Sequence, residues 1–196
     1  MEVTLEKQSS SALFSVNGAQ GIGLIEMRLF DIEKDLELLH VWMNEEHVIP
    51  FWQMNKSKAE LHQHFTQMLA DKHQELLIVS LDGRDILYVE VYTCKGDRIE
   101  GKYEMQQQDW GYHALIGELD VVGKGFGLPL GRAIMEYMFE EKGAQRIISE
   151  PDERAVASEK IDLKLGFEFH HFITFPEKRA KLFILEKHSF YDLFPA

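Results

Sequence analysis

The chain is 196 residues long, 45% hydrophobic and 11% aromatic, the balance of one soluble globular domain with enough apolar surface for a substantial core. Its formal net charge is −12, and no cluster of Lys and Arg offers the basic face that nucleic acid requires, so no nucleic-acid partner is expected. No apolar run approaches the ~20 residues of a membrane helix, which argues against a membrane role.

The N-terminal stretch MEVTLEKQSSSALFS begins with an acid and has no long apolar core, so it does not read as a secretory signal. With a single cysteine, Cys94, it points to a reducing, cytoplasmic setting. Residues 1–23 read as an N-terminal strand and a Ser/Gly-rich connector, QSSSALFSVNGAQGIG at 8–23, and residues 24–196 as the domain proper. LIEMRLF (24–30) is a strand, and Asp31 caps a helix to about Asn44 with Ile32, Leu36, Leu39 and Met43 on one face. SKAE at 57–60 is a capping box that opens a helix to about Lys72. ELLIVSLDGRDILYVEVYT is two strands joined around Asp82-Gly83. CKGDRIEGKYEMQQQD (94–109) is a polar surface loop, and WGYHALIGELDVV (110–122) is a further strand. A glycine-rich loop leads to a helix from about Leu128 to Lys142, then a strand QRIISE and a helix over 153–165. FEFHHFITF and KLFILEK close the chain as a strand pair. Elements in this order predict an α+β domain on one central sheet.

Four glycines stand within the nine positions 123–131. A P-loop would need Lys followed by Ser or Thr, but Lys124 is followed by Gly125. The dinucleotide pattern G-x-G-x-x-G fails at Leu130 when started from Gly125, and at Leu128 when started from Gly123. The physics of the loop remains: Gly123, Gly125 and Gly127 let successive N–H groups turn inward, and the following helix adds the positive end of its dipole. Such a loop suits a pyrophosphate, and equally a plain strand-to-helix turn.

LDVVGKGFGLPL, followed by a helix, a strand and DERAVASEKIDLKLGFEF, resembles the Gcn5-related N-acetyltransferase superfamily. The resemblance implies a single mixed, mostly antiparallel sheet flanked by helices and splayed between the fourth and fifth core strands. It also implies a [QR]-x-x-G-x-[GA] loop that seats the pyrophosphate of coenzyme A. Gly125-Phe126-Gly127 matches the end of that motif, while Val122 stands where Gln or Arg is usual. The implied acyl-CoA contacts are Leu119, Val121, Val122, Gly123, Lys124, Gly125, Phe126 and Gly127, with backbone amides near Leu119 to Val121 polarising the thioester carbonyl. The second signature, Asn…Ala…Tyr…GF, is altered. Ala155 replaces the Asn and Asp162 replaces the Tyr that often protonates the departing thiolate, while Ala157 and LGF at 165–167 remain.

HVWMNEEHVIPFW (40–52) and DWGYHALIG (109–117) resemble the acyltransferases of hydroxamate siderophore assembly, of the aerobactin, alcaligin and mycobactin type. This resemblance runs from about residue 24 to 187. It implies acylation of the hydroxylamine nitrogen of an N-hydroxylated lysine or diamine, or in some members of a lysine side chain. It places the active-site His and Asp on His113 and Asp152, and substrate-pocket residues on His47 and Trp52.

The residues themselves are compatible with that assignment. His113 lies on the strand leading to the glycine loop, and Asp152 lies just past the next strand, so splayed neighbours would bring both to one cleft. An imidazole with a carboxylate partner makes a general base; His113 also fits a structural strand histidine, and Asp152 a helix cap. Glu45, Glu46 and Glu150 are acids suited to the cationic end of a small N-hydroxy amine, and the acidic chain tolerates such a partner. The co-substrate is acyl-CoA, acetyl or succinyl. No metal is expected: His62 and His64 are two apart on a helix, and His170 and His171 point to opposite sides of a strand. An aminoglycoside or polyamine N-acetyltransferase of the same fold, and a non-catalytic acyl-CoA sensor, are the alternatives.

Overall fold

The structure is a computed structural model and describes residues 12–18 and 21–195. The strand expected before residue 8 lies outside the described residues. Eight strands form one sheet: β1 (Phe14–Asn17), β2 (Leu24–Leu29), β3 (Gln74–Leu81), β4 (Arg84–Thr93), β5 (Asp109–Ile116), β6 (Arg146–Ser149), β7 (Glu168–Thr174) and β8 (Arg179–Glu186). Their order is β1-β2-β3-β4-β5-β6-β8-β7. The pairings are antiparallel except β5 with β6, which is parallel. The sheet is therefore mixed and mostly antiparallel, as expected.

Helices cover both faces. Helices α1 (Ile32–Met43), α2 (Ile49–Trp52) and α3 (Lys58–Ala70) lie on one side, and α4 (Gly127–Glu140) lies on the other with α5 (Val156–Leu165) and α6 (Lys187–Leu193). Alternate residues of β3 and β4 feed the two cores, because successive strand side chains point to opposite faces. Leu77, Val79, Val89 and Val91 meet α4, whereas Leu76, Ile78 and Tyr88 meet Leu39, Leu61 and Phe65 of α1 and α3. Each such fully buried side chain contributes roughly 1.5–3 kcal/mol relative to exposure. The entry to α3 is fixed by the anticipated capping box: Glu60 N–H reaches Ser57 Oγ, and the Glu60 carboxylate accepts from Ser57 N–H.

Several elements differ from expectation. β1 lies inside the 8–23 connector and pairs with β2 from Phe14↔Met27 to Asn17↔Leu24. The strand expected over 110–122 stops at Ile116, and the chain turns: Val121 N–H binds Glu118 O, and Lys124 N–H binds Val121 O. Helix α5 starts at Val156 rather than 153, because Asp152 and Arg154 close a turn first, with Ala155 N–H on Asp152 O. Helices α2 and α6 are short, and their sequence periods are too brief to read.

β5 and β6 pair only from Asp109↔Arg146 to Gly111↔Ile148. Beyond Gly111 the two strands separate. That separation falls between the fourth and fifth strands counted from β2, as the family resemblance implied.

Candidate active site

The open edge of β5 follows from its register. Cys94 donates its N–H to Asp109 O, and Gly117 donates to Ile86 O, so the odd-numbered residues of β5 serve β4. In an antiparallel ladder the alternate residues turn their N–H and C=O groups the other way. Tyr112, Ala114 and Ile116 therefore present theirs to the gap. Ile116 O is taken by His47, whose Nε2–H donates at 2.8 Å.

At the gap stands His113, opposite Glu90 in the β4–β5 register. Nδ1 lies 2.9 Å from Glu90 Oε2 and Nε2 lies 2.8 Å from Glu150 Oε1. Two carboxylates can only accept, so both ring nitrogens donate and the ring is an imidazolium. Burial alone would push its pKa down, but the Glu150 and Glu90 charges outweigh that and raise it to about 9. Glu150 is fully buried; burial pushes its pKa up, and the stronger pull of His113 and Lys178 brings it down to about 2. Lys178 sits on its second oxygen, and Arg98 approaches at 3.6 Å. Glu150, expected to hold the substrate's cation, thus already has its charge balanced within the chain. Glu45 is half-buried and Glu46 exposed, in the turn between α1 and α2.

The two sequence motifs meet here, and their small residues become intelligible. A β-carbon on Gly111 would stand 2.3 Å from the Tyr92 ring, and one on Gly117 would stand 2.0 Å from the Trp42 indole. The glycines make room for two large rings on the His113 face of β5. Trp42 donates Nε1–H to Glu118 at 3.0 Å and so anchors the strand end. Trp52, at the end of α2, packs on Tyr88 at 5.8 Å and edge-on to His113 at 6.3 Å. Asp109, the first residue of the motif, is buried against Arg146 with contacts of 2.7 and 2.8 Å, and closes the paired end of the fork. Trp52 thus borders His113, while His47 sits on the last carbonyl of β5, its Nδ1 buried and without a partner among the described residues.

Asp152 is placed differently. Its carboxylate is bidentate on Arg154 and accepts the Arg154 N–H, which holds its pKa below the usual range. The carboxylates on His113 are Glu90 and Glu150. Glu90 was not singled out from the sequence, though a signal was present: a lone acid inside the buried run LYVEVYT requires a partner.

The glycine loop has the conformation its composition allows. Gly123 and Gly125 have φ of +71° and +89°, with open space where a side chain would be. Helix α4 starts at Gly127 with no side-chain cap, so its first N–H groups and dipole face outward. Leu119 and Val122 are exposed apolar residues beside it. This combination fits an anionic group carrying an extended chain: amides and a helix terminus for pyrophosphate, and the β5 edge for amide groups. The N–H of Val121, expected to polarise a thioester, is instead used inside the loop.

Comparison with known proteins matches residues 31–175 to an acetyltransferase (GNAT) domain. The chain is 39% identical over 161 residues to an N-hydroxyputrescine acetyltransferase of Acinetobacter baumannii, covering 82% of this chain and 77% of the relative. It is 31% identical over 153 residues to the lysine N-acyltransferase MbtK of Mycobacterium tuberculosis, covering 78% and 73%. Among solved structures, an aminoglycoside acetyltransferase in complex with coenzyme A superposes with a TM-score of 0.78 at 25% identity, over 86% of this chain and 98% of that one.

Proposed function

The chain belongs to the GNAT acetyltransferase family, and from that premise we propose that it is an acyl-CoA-dependent N-acyltransferase of hydroxamate siderophore assembly. Its acceptor is the hydroxylamine nitrogen of a small N-hydroxylated diamine or lysine. The observation that carries this reading is the meeting of the two motifs at His113, where β5 parts from β6. The likeness to an N-hydroxyputrescine acetyltransferase supports the choice of acceptor.

Acyl-CoA supplies the activated acyl group, acetyl or succinyl. The amides of Gly123, Gly125, Phe126 and Gly127 and the α4 terminus bind its pyrophosphate, the Lys124 N–H being used on Val121 O, and Leu119 and Val122 flank its chain. Ala114 offers its N–H and C=O to the amides of that chain, which holds the thioester in the fork. His47 and Trp52 border the acceptor, and Glu45 and Glu46 attract its cationic end. A hydroxylamine nitrogen is largely unprotonated at neutral pH and attacks without prior activation. His113 takes its proton as the amide forms, in the minor neutral form set by a pKa of about 9. Glu90 and Glu150 fix the ring and stabilise its charged form, and Asp152 holds the turn after β6 with Arg154. Residues 24–196 are the acyltransferase unit, and the protein works in the cytoplasm.

The test is coenzyme A release with acetyl-CoA or succinyl-CoA against N-hydroxyputrescine, N-hydroxycadaverine, N-hydroxylysine, spermidine and kanamycin. The reading expects an N-hydroxy amine to win in kcat/KM, and His113→Ala to lose roughly 10²–10⁴-fold in kcat with acyl-CoA affinity intact. Preference for kanamycin or spermidine, or binding of acyl-CoA without turnover, would overturn it.

A further inference from the structure

The proposed function leaves one step without a residue, the protonation of the departing thiolate, and a buried carboxyl at the fork is placed for it. Tyr112 and Ser149 are the first residues past the last paired residues of β5 and β6, Gly111 and Ile148. Both side chains converge on Asp162 of α5. Tyr112 Oη donates to Oδ1 at 2.9 Å and Ser149 Oγ donates to Oδ2 at 2.8 Å. Asp162 is 2% exposed. The other buried acids of this region have cations: Glu150 has His113 and Lys178, and Asp109 has Arg146. Asp162 has two hydroxyls, and the charged side chain acting on it is another acid, Glu159, itself paired with Lys181. A buried carboxyl among hydroxyls favours its neutral, proton-carrying form.

Resting on the acyltransferase reading, we propose that Asp162 is the proton source for the leaving thiolate and acts through the Tyr112 hydroxyl, with Ser149 holding the carboxyl in place. The strand makes the division of labour unavoidable. His113 and Tyr112 are adjacent, so they point to opposite faces of β5, the base towards the acceptor and the hydroxyl towards α5. As the nitrogen bonds to the carbonyl carbon, the C–S bond breaks with its electron pair on sulfur. With Asp162 protonated on Oδ1, the 2.9 Å contact runs instead from the carboxyl O–H to Tyr112 Oη, and the Tyr112 O–H turns to the fork. Sulfur takes the Tyr112 proton, the carboxyl proton replaces it, and the N–H proton goes to His113. Solvent restores Asp162 and His113 after release. Tyr112 alone serves poorly as the source. Burial and the Asp162 charge raise its pKa well above the ordinary value, so its anion must be refilled in the same event. Burial lifts Asp162 itself to about 7, against the opposing pull of the Ser149 and Tyr112 hydroxyls. It therefore carries a proton in a large share of molecules at neutral pH.

The test compares two acyl donors with Asp162→Asn and Tyr112→Phe. Acetyl-CoA expels coenzyme A as a basic thiolate that needs a proton, and S-(4-nitrophenyl) thioacetate expels 4-nitrothiophenolate, a stable thiolate that does not. For both variants, kcat/KM with acetyl-CoA is expected to fall roughly 10²–10³-fold while the nitrophenyl donor loses less than about threefold, with coenzyme A affinity unchanged. Equal losses on the two donors would mean that the trio only pins α5 to the fork, and would overturn the inference. Tyr112→Phe keeps the question answerable if Asp162→Asn does not fold. Failure of the wild-type protein to acylate any N-hydroxy amine with either donor would instead refute the functional reading itself.

Discussion

Replacing Glu90 with Gln removes one of the two charges on His113 while keeping an acceptor in reach of Nδ1, now 2.9 Å from the carboxylate. The His113 pKa of about 9 stands above the ordinary 6.5 by 9 − 6.5 = 2.5, which at 1.36 kcal/mol per unit is a preference for the charged ring of roughly 3 kcal/mol. Glu150 and Glu90 share that preference, and Glu150 contributes more. Losing Glu90 should therefore bring the pKa down by roughly one pH unit. At pH 7 the neutral ring would rise from about 1% to about 10% of molecules. With the nitrophenyl donor, whose departure needs no proton, the ascending limb of kcat/KM should move down by the same unit. The sign for stability follows from linkage. A folded-state pKa above the unfolded value stabilises fully below about pH 6.5, and that stabilisation is lost as pH rises towards 9. The variant should accordingly lose less stability than the wild type between pH 6.5 and 9. Imidazole NMR titration, assigned by the signal missing in His113→Gln among nine histidines, reads the pKa directly. A wild-type value near 6.5, or a value unmoved by Glu90→Gln, would refute the reasoning.

Asp109→Asn leaves the Arg146 guanidinium buried without its countercharge, and should destabilise the fold by about 3–5 kcal/mol in urea unfolding. A loss below about 1 kcal/mol would mean that water or Glu104 O compensates. Gly117→Ala forces a β-carbon into the Trp42 ring, so the indole must leave Glu118; a cost of about 1–3 kcal/mol and a changed tryptophan emission are expected. Gly125→Ala meets open space but must hold φ near +89°, at about 1–2 kcal/mol of backbone strain. Calorimetry should find coenzyme A binding weakened roughly tenfold with the acceptor KM unchanged; unaltered binding would show that the loop does not need that conformation.

Much of this architecture is local and therefore legible. The helix starts at Asp31 and Ser57, the Asp82-Gly83 hairpin and the terminal strand pair depend on caps and alternation within a few residues of each other. The motif DWGYHALIG marked the right strand, and its glycines have a spatial reason that spacing cannot supply: Tyr92 and Trp42 occupy the volumes their side chains would need. The strand end was misjudged for the same reason. GELDVV has strand-like residues, but the Trp42 contact and the Glu118–Val121 turn stop β5 at Ile116.

Side-chain partnership was the part hidden from sequence. Glu150 read as a free cleft acid, and Asp152 as the partner of His113. The β4–β5 register sets Glu90 directly opposite His113, and the position of Glu150 just past β6 brings it to the other nitrogen. Asp162 read as a missing tyrosine, and the fork shows it joined to Tyr112 and Ser149 from strands 50 and 13 residues away. Periodicity and turn chemistry act over a few residues, so the chain's order of elements and its glycine loop could be read along it, whereas His113 was singled out by the family resemblance. Which charges face one another depends on strand register and on where β5 and β6 part. Those are set by packing between elements distant in sequence, which is why only the folded chain decides them.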